Sequence, residues 1–234
     1  MTDESFGELK SFEDHFQDLK ASVKHTFIVF SVLTVFFFII SDQVIVLMQE
    51  DIQVGLHGLT PFEVFNVRMS MAGILGLVFS LPVLIYSFVS FAKPGLKDRE
   101  YKILRNSLPF SYILFVGGSI FAYQVIFKNA INFFITYTQG SNVAVIWGLQ
   151  NTLMLGLRIS LITGFLFQLP LLVLILEKAG LVTVKQLKQY RPYVVVAVLV
   201  IAAVATPPDL VTQVLITLPI ILLYEISVKV AEFM

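Results

Sequence analysis

Six long apolar blocks separated by short polar stretches dominate this chain of 234 residues. A run of about 20 apolar residues is what a helix needs to cross a bilayer with every backbone amide satisfied internally. The blocks predict six spans at about 23–41, 69–91, 108–128, 153–176, 193–205 and 210–226, forming one transmembrane domain over 1–234. Composition agrees: 57% of the residues are hydrophobic and 14% charged, against roughly 25% charged in soluble domains.

Orientation follows from where the cations fall. Lys10, Lys20 and Lys24 precede the first span, and Lys93, Lys97, Arg99, Lys102 and Arg105 lie between the second and third. Lys178, Lys185, Lys188 and Arg191 lie between the fourth and fifth, and Lys229 comes at the end. Only Arg68, Lys128 and Arg158 fall elsewhere. The positive-inside rule makes the rich side cytoplasmic, so both termini are expected there. Asp3, Glu4, Glu8, Glu13, Asp14 and Asp18 make the first 18 residues acidic, the opposite of a signal peptide's basic start. The first apolar block is therefore expected to be retained.

The last two spans differ from the rest. Tyr193 to Ala205 reaches only about 20 Å at 1.5 Å per residue, short of a hydrocarbon core about 30 Å thick. Thr206-Pro207-Pro208-Asp209 then stops the helix, because proline lacks a donor and clashes with the preceding turn. A short hairpin is expected, accommodated by a thinned bilayer or by neighbouring helices. The two long loops on the opposite side, 42–68 and 128–152, mix aromatic and aliphatic residues with Gly and Asn. They read as amphipathic caps at the interface.

Catalysis lacks its parts. His15, His25 and His57 all lie outside the spans, so Gly117-Gly118-Ser119 has no histidine at depth and reads as a small-residue packing surface. No aspartate pair lies within the spans, and no Walker loop or dinucleotide fingerprint is present. Cysteine is absent, removing thiolate chemistry and cysteine metal sites. No cofactor or metal is expected, and no basic stripe suggests nucleic acid. The polar residues at membrane depth are Arg158, Gln168, Asp209, Gln213 and Glu225, each a functional candidate by position. For Gln168 the competing reading is an interhelical hydrogen bond, and Arg158 reads as snorkelling outward. At the cytoplasmic surface, Asp18 and Glu100 could together receive a cationic peptide. Taken alone, Glu100 reads as paired with its basic neighbours.

Several segments resemble the TatC family, the polytopic core of the twin-arginine protein translocase. They include Thr206-Pro207-Pro208-Asp209 with Gln213, Pro219 and Glu225, and Arg191-Pro192-Tyr193. Ser80-Leu81-Pro82-Val83-Leu84-Ile85-Tyr86 with Phe91, Pro94 and Glu100 also matches, as do Phe121-Ala122-Tyr123 and Gly164-Phe165-Leu166-Phe167-Gln168-Leu169-Pro170. The resemblance implies an all-α, concave, glove-like arrangement of six helices with the last two short. It implies that Asp18, Phe91, Pro94 and Glu100 bind the Arg-Arg pair of signal peptides on folded cargo. Gln168, Asp209, Gln213 and Glu225 would serve the concave pocket and partner contacts, with Pro82, Pro207, Pro208 and Pro219 structural.

The implied partners are twin-arginine signal peptides, single-span TatA/TatB-like subunits, membrane lipids and further copies of the chain. The implied driving force is the proton-motive force. The chain departs from the family pattern in its N-terminal motif, His15-Phe16-Gln17-Asp18-Leu19-Lys20-Ala21-Ser22. There Asp18 replaces a glutamate and both arginines are lost, Lys20 and Ser22 standing in their places; elsewhere Gln168 replaces a carboxylate and Lys128 a proline. The alternatives to a translocase core are a small-solute transporter, which would be expected to show internal repeats, and a membrane scaffold.

Overall fold

The computed structural model describes residues 20, 23–52, 54–93, 97–139, 145–206 and 209–233. Asp18, Pro94, Pro207 and Pro208 lie outside them.

Helix α1, Val23–Ile39, meets α2, Ser41–Ile52, at a bend of 61°. The next helix, α3, runs unbroken over Glu63–Ala92 with Pro82 inside it. After it, α4 (Asp98–Phe121) passes through a π-helical stretch, Ala122–Phe127, directly into α5 (Lys128–Gln139). Helices α6 (Leu149–Leu166) and α7 (Leu169–Lys178) are two halves of one broken span. Helices α8 (Val184–Ala205) and α9 (Leu210–Phe233) close the chain. Among the described residues, five helices are long and apolar enough to span a membrane, six if α1 and α2 count as one bent span.

The final two are the shortest of the five, 22 and 24 residues against 29 to 42. Helix α8 starts nine residues before its apolar block because Thr183 caps it: Thr183 N–H donates to Gln186 Oε1 at 2.9 Å, and Gln186 N–H donates to Thr183 Oγ1 at 3.3 Å. This reciprocal box satisfies two donors that a helix start leaves orphaned. The first two turns of α8 are therefore polar, and the greasy part stays short.

The loops opposite the termini form a cap. Helices α2 and α5 lie there, and α2 buries Ser41, Ile45, Met48 and Ile52 on one face. Two-residue strands β1 (Leu56–His57) and β2 (Trp147–Gly148) pair in parallel, with Leu56 opposite Trp147, and join the two loops. Two basic residues of this end, Arg68 and Lys128, are tied down by aspartates. Arg68 pairs with Asp42 at 2.7 Å, donates to Ser41 Oγ at 3.0 Å and lies over the Phe38 ring. Lys128 pairs with Asp51 at 2.7 Å.

The main core lies behind this cap and centres on α6, whose Leu153 and Ile159 are fully buried. Val67 and Met71 of α3, Phe127, and Ile216 and Ile220 of α9 complete it. Close helix approach depends on small residues. A Cβ on Gly164 would strike the Ser119 hydroxyl and sit 3.1 Å from the Phe115 carbonyl, while one on Gly118 would meet the Phe167 ring at 2.5 Å. The Gly118-Ser119 segment is thus the packing surface between α4 and α6, as its composition suggested. Gly117 meets no such neighbour and faces a cavity. A smaller cluster, Val173, Leu187, Tyr224 and Val228, joins α7, α8 and α9 near the chain's end.

Candidate functional site

Three places deserve chemical scrutiny: a cavity in the middle of the helices, the hairpin α8–α9, and the open end opposite the cap.

The cavity, about 710 Å³, is walled by α2, α3, α4 and α6. Phe79, Ile113, Val116 and Leu161 make it mainly apolar, and Tyr112, Gln124, Ser119 and Ser160 add polar atoms. The Ser119 and Ser160 hydroxyls have no hydrogen-bond partner among the described residues.

Gln168 does not line this cavity. Its Oε1 accepts from the Ser111 hydroxyl at 2.6 Å, and its Nε2 donates to the Ser111 carbonyl at 3.0 Å. The helix breaks here because Pro170 offers no N–H to the Leu166 carbonyl, leaving a turn at Phe167 and Gln168. The two-way bond to Ser111 holds this weak joint against α4. An amide can donate and accept at once whereas a carboxylate only accepts, so glutamine suits this geometry. Ser111 was not foreseen; no sequence spacing links two positions 57 residues apart.

The three polar residues expected to act together on the last span are strung along α9. Asp209 caps its start, accepting from Thr212 N–H at 2.7 Å and from the Thr212 hydroxyl at 2.5 Å. Gln213 Nε2 donates to the Leu199 carbonyl of α8 at 3.1 Å. Glu225 lies twelve residues further on, about 18 Å away along the helix, where Arg191 of α8 pairs with it at 2.6 Å. Tyr224 donates its hydroxyl proton to the Leu187 carbonyl at 2.7 Å, and Lys188 pairs with Glu232. The hairpin is thus cross-tied at both ends. Pro219 is carried inside α9 without a break. Beside Glu225, an apolar groove of Leu199, Val214, Leu218 and Leu222 faces outward.

At the open end, Glu100 stands in the first turn of α4. Its Oε2 accepts from the Lys97 N–H at 3.1 Å. It makes no ion pair among the described residues, so the pairing with basic neighbours expected of it alone is replaced by helix capping. Lys93 and Arg105 turn instead to the Tyr101 ring. Phe91, near the end of α3, lines an apolar groove of about 390 Å³ against α1 with Val23, Phe27 and Phe88. Arg158 is exposed and reaches a cleft with Trp147, Asn151 and Thr206 at the capped end, in keeping with an outward snorkel.

A bundle of long apolar helices, some bent and some broken, with its charges gathered at the two ends, defines a multi-pass membrane protein. Residues 14–219 match the family described as Sec-independent protein translocase protein (TatC). The Bacillus subtilis (strain 168) Sec-independent protein translocase protein TatCy is 31% identical over 225 residues, covering 95% of this chain and 89% of that protein. A Listeria innocua TatC is 31% identical over 228 residues, covering 95% and 92%. A crystal structure of the twin arginine translocase receptor TatC superposes with a TM-score of 0.81 at 28% identity, covering 94% of this chain and 98% of that one. The chain belongs to the TatC family. It is therefore a membrane component of the Sec-independent protein translocase, which is not an enzyme.

Proposed function

We propose that this chain is the signal-peptide receptor of its translocase, with Glu100 and Asp18 gripping the Arg-Arg pair of a folded cargo's signal peptide. Both chain ends and the open end would face the cytoplasm, in a cytoplasmic membrane. The observation that carries this reading is the state of Glu100. It is half-buried and fixed in the first turn of a helix, with one carboxylate oxygen capping the backbone and no cation paired to it among the described residues. A pre-positioned carboxylate loses little freedom on binding, and guanidinium meets it with short, charge-assisted bonds. The related solved structure is described as a receptor, which supports the same role here.

Phe91, with Pro94, would shape the adjoining loop. The mid-membrane cavity would take the peptide's hydrophobic stretch, and the outward groove beside Glu225 would receive a single-span partner helix. Gln213 and Asp209 would hold that face in shape, and passage would draw on the proton-motive force. Further copies of the chain would gather in the assembled translocon.

Glu100→Gln keeps size and capping geometry but removes the charge. Charge-assisted bonds contribute about 1.5–3 kcal/mol, so affinity for a twin-arginine signal peptide in detergent should fall about tenfold to a hundredfold. A twin-lysine peptide should bind weakly to both forms. Unchanged twin-arginine binding by a normally inserted Glu100→Gln protein removes Glu100 from the site.

A further inference from the structure

A second cleft at the open end, about 820 Å³, lies between α4 and α7. The two helices run in opposite directions, yet both grade from charged to apolar along its walls. On α4 the order is Arg99 and Lys102, then Asn106 and Ser107, then Phe110 and Leu114. On α7, read inward from its end, it is Lys178, then Ile175, Leu174 and Leu171. The spacing on α4 keeps these side chains on one face. From Lys102 to Leu114 is about 18 Å at 1.5 Å per residue, close to half of a bilayer's hydrocarbon core, about 15 Å, plus the depth of a headgroup.

The three cations at the mouth have no ion pair or ring contact among the described residues. Positive-inside bias accounts for cations at this end, but not for their convergence on an apolar slot of one-leaflet depth. Among the described residues, Asp98 is the one carboxylate lining the mouth. It accepts hydrogen bonds, so it suits a headgroup that carries hydroxyls.

We propose that this cleft holds one anionic phospholipid of the phosphatidylglycerol type. Its phosphate lies among Arg99, Lys102 and Lys178, its glycerol hydroxyls donate to Asp98, and an acyl chain lies along Phe110, Leu114 and Leu171. Basic pockets between spans are known to suit anionic headgroups. The lipid would act as a wedge between α4 and the second half of a broken span, α7.

The test is native mass spectrometry of the full chain in detergent, with phosphatidylglycerol or phosphatidylcholine of matched chains added. One phosphatidylglycerol should be retained preferentially. At about 1 kcal/mol per basic residue, Arg99→Gln/Lys102→Gln/Lys178→Gln should lower its apparent affinity about a hundredfold. Lys93→Gln/Arg105→Gln/Lys185→Gln, which removes equal charge from the same end, should change it less than threefold. Leu174→Trp should displace the lipid with all charges intact. Equal retention of both lipids overturns the proposal, as does equal loss in the two triple variants. So does competition by inorganic phosphate as effective as that by the lipid.

Discussion

The two ends of this molecule treat most of their charge differently. At the capped end, Arg68 and Lys128 each meet an aspartate of α2, Arg68 also bonds a serine and covers an aromatic ring, and only Arg158 stays without an ion pair among the described residues. At the open end, Arg191 and Lys188 of α8 pair with Glu225 and Glu232, but Arg99, Lys102, Lys178 and Glu100 make no ion pair among the described residues. Charges satisfied within the fold hold it together; charges left over are available to something else. Hydrophobic packing follows the same division, because the main core lies behind the cap.

The sharpest way to break this contrast is to delete an aromatic ring at each end. Phe127 is fully buried beneath the cap, whereas Phe110 is 63% exposed on the wall of the open cleft. Large-to-small changes in a core cost about 3–5 kcal/mol for phenylalanine. Phe127→Ala should lower stability by that amount in a detergent melt, and Phe110→Ala by less than about 1 kcal/mol. Equal losses would mean that the two halves contribute alike.

Charge removal sharpens it further. Arg68→Ala loses an ion pair, a hydrogen bond and a cation–π contact together. Exposed pairs contribute about 1 kcal/mol or less and a cation–π contact about 0.5–1, so a loss of about 2 kcal/mol is expected. Lys102→Ala should stay within about 0.5 kcal/mol of the parent. A destabilising Lys102→Ala would show that the open end also uses its cations for folding.

How much of this was legible beforehand follows from range. The six-block pattern, the asymmetry of lysine and arginine and the shortness of the final pair are properties of contiguous sequence, and the helical fold follows from them; the family came from the resemblance carried by short motifs such as Thr206-Pro207-Pro208-Asp209. The early start of α8 was equally local: Thr183 followed three residues later by Gln186 is a capping signal that an apolar-block reading passes over. Asp209 ahead of an apolar run carried the same signal. The partners were not legible. Ser111 with Gln168, Arg191 with Glu225 and the convergence of α4 with α7 depend on how distant helices are rotated, which no spacing reveals. Asp209, Gln213 and Glu225 looked like a group because one helix carries them, but helical rise separates the first from the last by about 24 Å.

Between the two ends, Gln168 tests whether the middle belongs to the rigid half. Gln168→Leu removes both bonds to Ser111 and frees the joint between α6 and α7. Interhelical hydrogen bonds in membranes average about 0.6 kcal/mol and reach about 1.7, so the two together should cost about 1–2 kcal/mol. The broken span should also gain mobility in α7 alone, visible as faster hydrogen exchange over 169–178 with α6 unchanged. Uniform loosening of both halves would place the joint's restraint elsewhere.

The smallest effect is expected at the Arg191–Glu225 pair, which sits at the open end yet is paired like the charges beneath the cap. Both side chains are more than a third solvent-accessible, at 41% and 35%. Attraction between such charges is weak and offset by the entropy of ordering two long side chains. A double-mutant cycle with Arg191→Gln and Glu225→Gln should therefore give a coupling of about 0.5–1 kcal/mol. A value above about 2 kcal/mol would mean that the hairpin depends on this ion pair as strongly as the cap depends on Arg68. Charge pairing would then be a structural element at both ends, and only Glu100, Arg99, Lys102 and Lys178 would remain set apart for ligands.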